Sequence, residues 1–382
     1  MPKRKSNDKY RVVLAGGHAG TVMLALIEEI LRLNGNFEIH IIGPKYSYST
    51  GGMASLEKMY LNVDGVFYHE VDSARFSRRF VLKTILGFPK IVWGFMDVLK
   101  IMLKIRPQLA VVFGGYLGVP VSIASRIVGI PLIVHEQVVG VGLANRVGSL
   151  FARKILVSRE ESLKSLPKKK TILIGNPVRR DILSVGVKSS IGNPPTVFIF
   201  TGSRGSKIIN SAFKESIMDF LSNFRVIHLT GKEDYALFLD IRSKLPRDLK
   251  ERYEVFDFIL PWNVAAMYKK SDIVVARAGA NTVSEIMIIK RPSVFIPIPW
   301  SNFDEQNKNA DYAVNFGIGI KLNQDELDGK KLFASVNFLK NNWKKIVDSV
   351  KDKESIDLLA AKKFARIVLD ETINSPKSKK IK

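Results

Sequence analysis

Three glycine-bearing turns in this 382-residue chain follow apolar runs and precede amphipathic ones. Gly16-Gly17-His18-Ala19-Gly20 comes after Val12-Val13-Leu14, and Thr201-Gly202-Ser203-Arg204-Gly205-Ser206 after Val197-Phe198-Ile199-Phe200. Arg277-Ala278-Gly279-Ala280-Asn281-Thr282-Val283-Ser284-Glu285 comes after Ile273-Val274-Val275. Glycine lets backbone approach a ligand closely, and the free N–H groups of a helix start favour an anion or a hydroxyl oxygen. None of the three is GxGxxG and no Walker pattern occurs, so each reads equally as a plain β-α turn. Glu285 falls about one turn into its expected helix. There its carboxylate either accepts two ribose hydroxyls or is a first-turn acid favoured by the helix dipole. Asn281 or Thr282 suits the cap of that helix. Asp304-Glu305-Gln306-Asn307 opens a further helix with two adjacent amides, which read sugar hydroxyls or simply face water. Gly175-Asn176-Pro177-Val178-Arg179 sets a cation between the two halves of the chain.

Such turns need sheets to hold them. Short apolar runs alternate with longer amphipathic ones along the chain, the pattern of β-α units around a parallel sheet. The first series predicts strands near 11–16, 37–42, 109–113, 131–134, 154–157 and 171–174, with helices near 20–34, 80–105, 118–128, 142–152 and 159–165. A second series follows the Gly192-Asn193-Pro194-Pro195 stretch. Its strands are expected near 196–201, 225–229, 254–258, 272–276, 293–297 and 317–320, and its helices near 206–221, 233–244, 262–270, 281–289 and 304–315. The fold class is therefore α/β, two doubly wound domains at 1–178 and 179–354 facing one cleft, because such sheets bind ligands at the carboxyl ends of their strands. A last amphipathic helix is expected at 355–372 and a mobile basic tail at 373–382.

Composition narrows the chemistry. No cysteine is present, which removes disulfides, cysteine-bound zinc, iron–sulfur clusters and thiol catalysis. No secretory signal or membrane-spanning run is read. There are 59 basic and 36 acidic side chains, a formal charge of +23, so an anionic partner is expected. Between Arg75 and Arg106, eight basic residues interleave with Phe80, Leu82, Ile85, Leu86, Phe88, Trp93, Phe95 and other apolar side chains. That mixture suits an anionic membrane interface, or else a core helix with a solvated basic face. No nucleic-acid signature accompanies the charge, and no nucleic-acid partner is expected.

Taken in order, His18 in its glycine turn, Phe113-Gly114-Gly115-Tyr116, His135-Glu136-Gln137, Gly175-Asn176-Pro177-Val178-Arg179, Gly202-Ser203-Arg204-Gly205, the Arg277–Glu285 segment and Asp304-Glu305-Gln306 resemble the MurG family, the peptidoglycan N-acetylglucosaminyltransferases. The resemblance spans about residues 11–320. It implies the GT-B fold, with residues 1–178 on the acceptor and membrane side, 179–354 binding the UDP-sugar, and the last helix packing back on the first domain. It further implies inverting transfer of N-acetylglucosamine from UDP-N-acetylglucosamine to the 4-hydroxyl of the muramoyl sugar of lipid I, giving lipid II at the cytoplasmic face of the membrane. No cofactor is implied, and with no DxD present no metal is expected. By the same resemblance His18, Glu136 and Tyr116 are candidate catalytic groups, His18 being a base or an orienter of the acceptor. Arg179, Ser203, Ile259, Glu285, Gln306 and Asn307 match donor contacts, and Gly16, Gly17 and Asn145 acceptor contacts. Departures fall at Ala15, Ala19 to Val22, Val138, Arg204 and Asn307, mostly on the acceptor side. The competing reading is another GT-B transferase acting on a different lipid.

Overall fold

Near-continuous apolar runs form strands here because parallel strands are covered on both faces. The computed structural model describes residues 9–16, 20–44, 63–72, 88–202 and 205–375. The chain divides into two units, one comprising residues up to Arg179 together with those from Leu359 onward, the other Arg180–Leu358.

The first unit holds β1 (Tyr10–Ala15), β2 (Phe37–Pro44), β3 (Val66–Val71), β4 (Leu109–Val112), β5 (Leu132–Glu136), β6 (Lys154–Val157) and β7 (Thr171–Leu173). They form one parallel sheet in the order β3-β2-β1-β4-β5-β6-β7. Its helices are α1 (Gly20–Leu33), α2 (Phe88–Ile105), α3 (Gly118–Val128) and α4 (Leu143–Phe151). Alternation along β1 decides the two cores: Val12 and Leu14 pack with α1, and Val13 and Ala15 with Val98, Met102 and Val121 of α2 and α3.

The second unit holds β8 (Thr196–Phe200), β9 (Arg225–Leu229), β10 (Tyr253–Phe256), β11 (Ile273–Ala276), β12 (Ser293–Phe295) and β13 (Gly319–Lys321). This sheet is also parallel, in the order β10-β9-β8-β11-β12-β13. α5 (Arg180–Leu183) precedes these strands, and between them come α6 (Lys207–Glu215), α7 (Ile217–Asn223), α8 (Lys232–Ser243), α9 (Arg247–Lys250), α10 (Pro261–Lys270), α11 (Ala280–Ile289) and α12 (Glu305–Phe316). After β13 follow α13 (Gly329–Asn341) and α14 (Trp343–Val350). The last helix, α15 (Ala360–Ile373), returns to the first unit, where Phe364, Ala365 and Val368 join the α1 core.

Each strand order reverses once, between β1 and β4 and between β8 and β11, and ligands of doubly wound sheets bind at that point. Gly16 and Phe113 follow β1 and β4; Thr201 and Arg277 follow β8 and β11.

Several elements differ from expectation. β3 was not anticipated, nor were α13 and α14. The helix expected over 206–221 breaks at Ser216, which sits at φ −116° and ψ 14° while its hydroxyl donates to the Ala212 carbonyl at 2.9 Å. Serine competes for backbone groups in this way and bends helices. Among the described residues the helix expected from 80 begins at Phe88. Gly17, His18, Ser203, Arg204, most of the expected tail and residues 75–87 of the basic apolar segment lie outside the described residues.

Candidate active site

The second sheet gathers three loops at one end. Register pairs Phe200 with Ala276 and Ala276 with Phe295, so the turns after β8, β11 and β12 start side by side. Arg277 ties them together. One terminal nitrogen donates to Ser206 Oγ at 2.8 Å; the other donates to the carbonyls of Ile296 (3.2 Å) and Pro297 (3.4 Å). Ser206 stands at the N-cap position of α6, the helix that opens behind the glycine turn. These acceptors are all neutral, and burial lowers the Arg277 pKa to about 10. Gly205 has φ +78°, and a Cβ there would run into the Thr230 carbonyl oxygen, so only glycine fits.

Glu285 lies half-buried in the second turn of α11 and accepts a hydrogen bond from the Tyr268 hydroxyl at 3.0 Å. Ile259, just before α10, is buried. The two adjacent amides at the start of α12 are partly engaged. Gln306 Oε1 accepts from the Ile298 N–H at 3.1 Å, and Asn307 Nδ2 donates to Asp304 Oδ1 at 2.7 Å. Gln306 Nε2 and Asn307 Oδ1 are then the atoms of each amide that point elsewhere. Phe303 and Asp304, just ahead, are consecutive left-handed residues at φ 56° and 57°. Non-glycine residues are held there only at a cost, and such strain clusters at ligand-binding loops. Asn309 Nδ2 donates to the Ala278 carbonyl at 3.1 Å, pinning α12 to the Arg277–Glu285 loop.

In the first unit the switch point carries a different arrangement. Gly114 and Gly115, after β4, are consecutive left-handed glycines at φ +80° and +73°. A Cβ on Gly114 would press on the Asn145 amide at 3.2 Å, so the turn lies directly against that side chain. Asn145 Nδ2 donates to the His135 carbonyl (3.1 Å) and to Glu136 Oε2 (2.9 Å). Its Oδ1 is buried with no hydrogen-bond partner among the described residues. Glu136 also accepts from the N–H groups of Gly142 (3.0 Å) and Val138 (3.3 Å). Burial raises its pKa, and these donors from Asn145, Gly142 and Val138 oppose the rise. Gly142 is the N-cap of α4, so the carboxylate closes the 137–142 loop onto a helix start. Tyr116 is half-buried beside this core, and Gly16 is buried at the end of β1.

Arg179 closes the first unit, 6% exposed, with Nε 3.8 Å from Glu28 Oε1 of α1. Of the expected site residues, Ile259, Glu285, Gln306 and Asn307 lie in the second unit, and Gly16, Tyr116, Glu136 and Asn145 in the first, where Asn145 meets Glu136. Tyr268 and the bracing role of Arg277 were not anticipated. Tyr268 carries no sequence signal beyond being one aromatic in an amphipathic helix. Among the described residues no group of three or more His, Asp or Glu side chains is disposed to hold a metal ion.

Comparison with known proteins adds to this geometry. Residues 12–157 match the glycosyltransferase family 28 N-terminal domain, and residues 196–368 the glycosyltransferase family 28 C-terminal domain. The protein is a family 28 glycosyltransferase, with both characteristic domains in order. A relative from Clostridium botulinum (strain Kyoto / Type A2) is 31% identical over 345 residues, 87% of this chain and 92% of its own. One from Clostridium tetani is 30% identical over 365 residues, 91% and 96% of the two chains. Both are UDP-N-acetylglucosamine–N-acetylmuramyl-(pentapeptide) pyrophosphoryl-undecaprenol N-acetylglucosamine transferases, and the chain belongs to that family, MurG. The crystal structure of Acinetobacter baumannii MurG has the same fold, with TM-score 0.69 at 20% identity over 95% of this chain and 99% of that one. A UDP-GlcNAc 2-epimerase from Neisseria meningitidis bound to UDP-GlcNAc is similar at TM-score 0.62 and 12% identity, covering 94% of this chain and all of that one.

Proposed function

We propose that this chain transfers N-acetylglucosamine from UDP-N-acetylglucosamine to the 4-hydroxyl of the muramoyl sugar of lipid I, with inversion, giving lipid II for peptidoglycan synthesis. The observation that carries the reading is the donor cluster at a switch point: Arg277 ties Ser206, behind the glycine turn, to the Ile296 and Pro297 carbonyls, and half-buried Glu285 and the Gln306 amide stand on the helices that follow those loops. In the reaction the acceptor oxygen attacks the anomeric carbon as its bond to the diphosphate breaks. The hydroxyl proton passes to a base, and the electron pair leaves with UDP.

On the donor side, Glu285 accepts ribose hydroxyls and the backbone at Ile259 reads the uracil. Ser203 and Arg179 meet the diphosphate, while Gln306 Nε2 and Asn307 Oδ1 reach the sugar hydroxyls. The helix start behind the glycine turn and the arginine charge stabilise departing UDP, such donors contributing ~3–4 kcal/mol each. On the acceptor side His18 is the proposed base, since an imidazole nitrogen can take the hydroxyl proton. Gly16, Gly17, Tyr116 and Asn145 bound the acceptor. Glu136, saturated with its own loop's donors, acts by holding that loop in shape.

The reading extends to attachment at the cytoplasmic membrane face, where a lipid-linked acceptor resides. Among the described residues no helix is long and apolar enough to cross a membrane. Val92, Trp93, Met96 and Leu103 are nevertheless exposed along α2, beside exposed Lys100, Lys104 and Arg106. Apolar and basic side chains in one stripe suit an anionic interface. Transfer of labelled N-acetylglucosamine to a lipid I analogue tests the assignment. Turnover with another lipid acceptor, and none with lipid I, overturns it.

A further inference from the structure

Tyr268 stands in the last turns of α10 and is fully buried. Its ring meets Phe198 and Phe200 of β8 edge-on, with centroids 5.8 and 6.2 Å away. A buried hydroxyl is costly unless bonded, and this one is spent on Glu285 Oε2 at 3.0 Å. Burial first, then the Glu285 charge and the shared hydrogen bond, hold the phenol far above its ordinary range, so it remains a proton donor at any working pH. Aromatic packing fixes where that proton points. The glutamate side chain, by contrast, has several rotatable bonds and is only half-buried. Left alone it would lose conformational freedom each time it engaged a ligand.

We propose that Tyr268 is a positioning residue for the nucleotide: its hydroxyl holds the Glu285 carboxylate in the one rotamer that accepts a ribose diol. The inference rests on the reading of Glu285 as the ribose-binding acid. It makes the discrimination between ribose and deoxyribose nucleotides a property of the pair. Preorganising a ligand group lowers the cost of binding without adding a contact to the ligand. Tyr268 therefore affects affinity only for ligands that carry the hydroxyls.

The test compares binding of UDP and of 2′,3′-dideoxy-UDP to the full-length protein by calorimetry. Tyr268→Phe keeps the ring and removes the donor. It should weaken UDP about tenfold and leave dideoxy-UDP within about twofold, raising KM for UDP-N-acetylglucosamine more than it lowers kcat. Tyr268→Met removes the same hydroxyl behind a different filler and should give the same split. Equal weakening of both ligands, or of neither, overturns the proposal. Glu285→Ala serves as the separate control. If it leaves the preference for UDP over dideoxy-UDP intact, the ribose reading itself is wrong. If it abolishes that preference while both Tyr268 variants retain it, only the positioning role falls.

Discussion

Two glutamates, one on each sheet, are used in opposite ways. Glu136 ends β5 and is buried, its carboxylate filled by Asn145 and by two backbone N–H groups of its own loop. Glu285 is half-buried in α11, and the Tyr268 phenol donates to it. Both residues lie close to helix starts, where negative charge is favoured. The first unit thus uses its acid to build a loop, and on the proposed reading the second offers its acid to a ligand. A carboxylate filled by donors of its own loop and of the helix that follows is a scaffold, whereas one at a partly open helix start has acceptor lone pairs to offer a ligand.

Substitution separates the two roles. Glu285→Ala removes two charge-assisted hydrogen bonds and should raise KM for UDP-N-acetylglucosamine about 100-fold, read by steady-state kinetics. A similar KM effect from Glu136→Ala in a stably folded protein would erase the contrast. Arg277→Lys loses the planar fork that serves Ser206, Ile296 and Pro297, with an expected rise in KM of roughly tenfold and a smaller change in kcat. Glu136→Gln turns an amide NH2 toward backbone donors. The cost is about 2 kcal/mol, seen as a drop of about 5 °C in the calorimetric midpoint of the first unit. A large fall in kcat with no change in that midpoint would instead make Glu136 the base.

The halves are alike in one respect, which pH makes visible. His135 in the first unit and His228 in the second are buried, and burial lowers each pKa to about 3. Folded, they stay neutral; unfolded, they take a proton near the ordinary value of ~6.5. Below that pH the unfolded chain binds more protons, so stability falls as pH falls toward 3. Between pH 6.5 and 5 each should cost ~2 kcal/mol, and His228→Gln should remove the share belonging to the second unit. Calorimetry at pH 7 and pH 5 decides it. The smallest effect is expected at the membrane. Trp93→Ser should weaken binding to anionic liposomes a few-fold, about 1 kcal/mol, and leave transfer to a short-chain acceptor unchanged.

Much of this was legible in the residues because buried parallel strands announce themselves. Ile273–Ala276 is apolar and wholly buried, and the glycines after β8 and β11 mark where the chain turns to the ligand end. β3 was missed since it is an edge strand whose Phe67, His69 and Glu70 alternate between partial burial and exposure. The helices α13 and α14 were missed for another reason. Their lysines and asparagines hide the buried stripe of Leu332, Val336, Leu339 and Trp343, and Trp343 spends its indole N–H on the Asp272 carbonyl. At the site, motif order singled out Glu285, Gln306 and Glu136 as candidates. It could not separate scaffold from ligand, since that depends on partners far apart in sequence, such as Tyr268 for Glu285 and Ser206 for Arg277.

The return of α15 bears on how the molecule is made. Phe364 stacks beside Phe113 and His135 in the heart of the first unit, at centroid distances of 5.8 and 5.0 Å. A ribosome releases those helical residues only after all of β8 to α14 has emerged. The half synthesised first must therefore wait with an unfilled core, while the half synthesised second has every strand it needs and can fold as an insert within its neighbour.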